Sequence, residues 1–109
     1  MLLKGRSGDA ARELHQLVTR RPDDVRAQSL LGVACATDKR RDCALAAFAA
    51  ALAADPRDIA TLVNLGVFHL QFAEPVTAAE AFATALTLDR TSAPARQGLA
   101  EARAAMGSR

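Results

Sequence analysis

A period of thirty-four residues constrains this chain more than any other feature. Leu31-Gly32 recurs as Leu65-Gly66, and the same shift carries Ala44 to Ala78, Phe48 to Phe82, Ala51 to Ala85, Leu52 to Leu86 and Asp55 to Asp89. Continued forward it takes Leu65-Gly66 to Leu99-Ala100. Continued backward it takes Ala44, Phe48 and Ala51 to Ala10, Leu14 and Leu17, and Pro56 to Pro22. Matching size and polarity held in one register over so many positions marks an internal repeat, in which units stack and bury a shared core.

Each unit reads as two helices. Of the 109 residues 26 are alanine, the strongest helix former, whereas Val and Ile are few, which disfavours a β-sandwich or barrel. Asp24, Asp58 and Ser92 stand 34 apart, each ahead of an apolar-periodic run, where a side-chain oxygen can accept from first-turn N–H groups. Pro22 and Pro56 stop the helices before two of these caps, and Pro75 suits the first position of a helix. The pattern predicts helices near 8–20, 24–37, 42–54, 58–72, 75–88 and 92–106. Gly32 and Gly66 fall mid-helix, at about 0.5–1 kcal/mol each relative to alanine, which makes sense where a neighbour passes close by. Ala44 and Ala78 are the expected facing positions, with Phe48 and Phe82 wedged between units.

Leu31-Gly32, Ala44, Phe48, Ala51 and Asp55-Pro56, repeated as Leu65-Gly66, Ala78, Phe82, Ala85 and Asp89, resemble the tetratricopeptide repeat (TPR) family. Arg90 replaces a usual proline, Cys35 and His69 a usual aromatic, and Lys39 a common turn glycine. The resemblance implies an all-α fold: a right-handed α-solenoid of antiparallel helix pairs, about six helices, two full repeats flanked by half repeats. The expected organisation is one TPR domain over 1–109. Within it 1–22 is a partial leading repeat, 25–58 and 59–92 are full repeats, and 93–109 is a C-terminal capping helix.

In this family the first helix of each pair lines an inner groove. That places Arg26, Ser29, Val33 and Ala36, then Ala60, Val63, Asn64, Val67, Leu70 and Gln71, in a partner-binding groove. Val63, Val67 and Leu70 form one stripe, distinct from the stripe of Leu62, Leu65, Gly66 and His69 that faces the repeat's own second helix. A helix apolar on two faces has more surface than one partner helix covers. Some TPRs grip a C-terminal carboxylate with two cation–Asn pairs. Here only Asn64 is in place, and Ser29, Val33, Pro94 and Gly98 supply no cation, so that recognition is not expected.

Other chemistry is sparse. His15 and His69 lie in no catalytic motif, the eight-residue spacing of Cys35 and Cys43 is not that of a zinc site, and Gly5-Arg6-Ser7-Gly8 is too short for a phosphate loop. The chain reads as a non-enzyme with no cofactor or metal, and its two cysteines as reduced thiols. A net charge of +2, with basic residues interleaved among aspartates and no Trp or Tyr, argues against nucleic-acid binding. No run is long and apolar enough to insert in a membrane, and the opening residues lack a secretory pattern, so a cytoplasmic location is expected.

The function expected is a protein–protein interaction scaffold that takes a partner helix or extended peptide in an apolar groove, in its narrower form a bacterial assembly or secretion chaperone. The alternative is a self-associating structural or regulatory TPR segment of a larger protein. Met1-Leu2-Leu3-Lys4 leaves little for the first helix of a leading pair, so Leu14, Leu17 and Val18 would stay partly exposed and form a homodimer surface.

Overall fold

The computed structural model describes the backbone of residues 2–107 and the side chains of residues 9–107. Six helices follow one another: α1 (Leu2–Arg20), α2 (Val25–Thr37), α3 (Arg41–Ala54), α4 (Ile59–Gln71), α5 (Pro75–Leu88) and α6 (Ala93–Gly107). No strand occurs among the described residues. The five later helices begin and end within one residue of their predicted bounds. Helix α1 starts six residues earlier than expected and runs through Gly5 and Gly8, because glycine costs a helix about 1 kcal/mol without forbidding it. Leu2-Leu3-Lys4 therefore belongs to α1 itself and is no remnant of a separate helix.

The three predicted caps are made. Asp24 accepts from the Ala27 N–H at 3.0 Å, Asp58 from the Thr61 N–H at 3.1 Å, and the Ser92 hydroxyl from the Ala95 N–H at 3.3 Å. Pro75 opens α5, where its missing N–H costs nothing. Between α5 and α6, Asp89 accepts from both the hydroxyl and the N–H of Thr91, which holds its carboxyl below the ordinary value. A depressed folded value contributes stability at neutral pH that is lost as pH falls below the usual carboxylate range.

Within each helix pair the turn is built the same way. Lys39 and Ala73, 34 residues apart, adopt left-handed φ values of 61° and 58°. Around them Lys39 N–H bonds Ala36 C=O and Arg40 N–H bonds Cys35 C=O; Ala73 N–H bonds Leu70 C=O and Glu74 N–H bonds His69 C=O. This double closure is the Schellman arrangement, which satisfies the last carbonyls of the helix and usually employs glycine at the left-handed residue. The shared φ and hydrogen bonds show why the turns keep their register although neither has glycine.

The chain divides into two compact units, Met1–Pro56 and Arg57–Arg109. In the first, α2 packs against both α1 and α3. The Phe48 ring, 1% exposed, lies against Gly32, where an added Cβ would come within 2.5 Å of it. In the second unit α4, α5 and α6 pack on one another. Phe82 is wholly buried with Ala78 and Ala102 at the centre, flanked by Val63, Leu70, Ala79 and Leu99. Its ring touches α4 at Gly66 and α6 at Gly98. The atoms nearest each mid-helix glycine therefore belong to a phenylalanine ring and not to Ala44 or Ala78, which are themselves wholly buried. The glycines make room for an aromatic wedge.

The cysteines correct the reduced-thiol expectation. Cys35, near the end of α2, and Cys43, in the first turn of α3, are joined as a disulfide, with Cα atoms 5.8 Å apart. That separation is within the ordinary range for a disulfide. In the second unit His69, the counterpart of Cys35, is instead held by a hydrogen bond, its Nδ1 2.8 Å from Glu74 Oε1.

Candidate protein-binding faces

The first helix of each pair presents an outward stripe in the same register. On α2 it consists of Arg26, Leu30, Val33 and Thr37, and on α4 of Ala60, Asn64, Val67 and Gln71, all exposed except Asn64, which is half-buried. The spacing of four, three and four residues keeps them on one side of a 3.6-residue helix. Leu30, Val33 and Val67 are 45%, 39% and 43% exposed, and among the described residues they and Val76, at the start of α5, are the exposed large apolar side chains. Exposed aliphatics at matching places in two repeats differ from the scattered surface leucine that needs no explanation.

The structure divides the expected groove residues into two groups. Arg26, Val33, Ala60, Val67 and Gln71 are exposed. Ser29 and Ala36 are buried, and Val63 and Leu70, their partners under the 34-residue shift, are half-buried; the latter two pack against the Phe82 core. Ser29 and Ala36 are thus corrected from open to buried positions, and Val63 and Leu70 serve the unit's own interior in part. Leu30 was not singled out from sequence. It is the 34-residue counterpart of Asn64, and an aliphatic residue at that place was the available signal.

On α1, Val18 is buried, which removes it from the expected exposed patch; Leu14 and Leu17 are half-buried. Packing against α2 covers this side of α1 more fully than a missing leading helix suggested. Hollows among the described residues of the first unit include the following pair. One, of about 270 Å³, is lined by His15 and Val18 of α1, Gln28 and Leu31 of α2, and Cys43, Ala46, Ala47 and Ala50 of α3. The other, about 490 Å³, is lined by Ala11, Arg12, His15, Gln16, Thr19 and Arg40. No stripe residue lines either one. Among the described residues no three His, Cys, Asp or Glu side chains are grouped so as to hold a metal ion, and no helix is long and apolar enough to cross a membrane.

Capped helix pairs with one turn design, mid-helix glycines under aromatic wedges and a repeated outward stripe define an all-α helical-repeat protein. Residues 4–59, just over half of the chain, match the tetratricopeptide repeat family, and the chain belongs to it. Repeats of this family generally mediate protein–protein interaction and are typically non-catalytic. A comparison with curated proteins finds no match.

Proposed function

We propose that this protein is a non-enzymatic interaction module in which the outward stripe of α2 and that of α4, each by itself, offers a contact surface to an apolar helix or extended segment of a partner protein. The observation that carries this reading is the exposure of Val33 and Val67 at identical repeat positions, with Leu30 beside the first. Leaving about two-fifths of each such side chain in water forgoes roughly 0.5–1 kcal/mol of burial. A bound apolar segment recovers part of that burial without disturbing the interior. Anchors spaced by three and four residues are the usual way a helix is read.

The reading separates two substitutions on one helix. Val67→Glu places a charge in solvent and is expected to change stability by no more than about 0.5 kcal/mol, while partner recovery from native lysate falls to background. Leu70→Glu brings a charge against the Phe82 core and is expected to cost about 1–3 kcal/mol in a denaturant melt. Retained capture by a folded Val67→Glu protein contradicts the assignment.

A further inference from the structure

The disulfide links two sulfurs in unlike surroundings. Cys35 is wholly buried, whereas Cys43 is half-buried and lines the 270 Å³ hollow with His15, Val18 and Leu31. A nucleophile can therefore approach the bond from one side only. The second unit shows what the hairpin needs without it. Its α4–α5 turn has the same left-handed residue and the same pair of backbone hydrogen bonds, yet His69 and Thr77 stand at the places of Cys35 and Cys43. The cross-link is thus not a geometric requirement of this turn.

We propose that Cys35–Cys43 is an exchangeable disulfide, opened through Cys43 by a dithiol reductant. A thiolate of the reductant attacks the Cys43 sulfur; a mixed disulfide forms there as the Cys35–Cys43 bond breaks. Cys35 leaves with the electron pair and takes a proton from water. The reductant's second thiolate then attacks its own sulfur in the mixed disulfide, releasing Cys43 and closing the reductant's disulfide. Two protein thiols form as one dithiol is oxidised. A glutathione-type disulfide reverses the change, accepting the two electrons and leaving as two thiols. The released Cys43, the third residue of α3, borders the hollow and is the sulfur that meets such a disulfide. Disulfides in reducing compartments are mostly transient ones of this kind.

The test is differential alkylation of the folded protein, purified without reductant, read by mass spectrometry of the tryptic peptides, which separate the two cysteines. Neither cysteine is expected to take iodoacetamide before dithiothreitol; after it, without denaturant, Cys43 should take it, and the buried Cys35 only once the protein is unfolded. Reduction is expected to lower the melting temperature by about 5–15 °C, from the loop-closure effect of a short cross-link in a chain of this size. Oxidised glutathione should restore it. In Cys35→Ala, Cys43 should accept a glutathionyl group; in Cys43→Ala, Cys35 should not until the protein is unfolded. Alkylation of both cysteines before any reductant overturns the proposal, and so does a bond that opens only in denaturant. The wild-type measurements decide the matter even where a variant does not fold.

Discussion

Phe82→Ala is expected to lower the free energy of unfolding by about 3–5 kcal/mol, the range for removing a fully buried aromatic ring. Phe82 fills the space where α4, α5 and α6 meet, and the backbone at Gly66 and Gly98 abuts the ring on two helices. Neither glycine has a side chain that could swing into the vacancy, so the cavity would persist or the helices would have to move. A loss of this size is a large share of the roughly 5–15 kcal/mol that stabilises an ordinary domain. Urea titration followed by circular dichroism checks it. A loss below about 1 kcal/mol would mean that the ring is not the keystone of this unit.

Gly66→Ala is the second large effect, and its sign runs against helix propensity. In an unobstructed helix interior the change would stabilise by about 0.5–1 kcal/mol. Here the new Cβ would lie 2.6 Å from the Phe82 ring, which is wholly buried and also lies against Gly98, so it has little room to retreat. Overpacking of this kind costs about 1–3 kcal/mol and is expected to prevail. Combining Gly66→Ala with Phe82→Leu should recover part of the loss. Because both residues share one contact, the two effects should be non-additive in a double-mutant cycle. A stabilised Gly66→Ala protein would show that the crossing is looser than described.

These results turn on features that were unequally legible in the sequence. The caps at Asp24, Asp58 and Ser92 and the helix bounds are local matters, settled by residue type and by a period that repeats the evidence. The wedge was half legible. Phe48 and Phe82 announced themselves by size, but a glycine does not say whether it admits an alanine or a ring. Gly98 drew notice only as a missing cation, although its mid-helix place is the same clue that Gly32 and Gly66 give. The α4 stripe was harder still. Val63, Val67 and Leu70 are spaced for one side of a helix, yet α6 and α5 together wrap far enough round to cover Val63 and Leu70 and leave Val67 in water. That depends on tertiary packing, which one helix's periodicity does not contain. The disulfide was invisible for a similar reason: an eight-residue separation becomes a 5.8 Å approach only once the turn geometry is known.

The most direct measurement of the central claim places a photo-crosslinking amino acid at Val33 or Val67 and, for comparison, at Ala49 or Ala83. The last two are likewise exposed and 34 residues apart, but lie on the second helices, α3 and α5. Irradiation in cells should join a partner protein to the chain from positions 33 and 67 and not from 49 and 83. Adducts from the second-helix positions, with none from the first, would contradict the account.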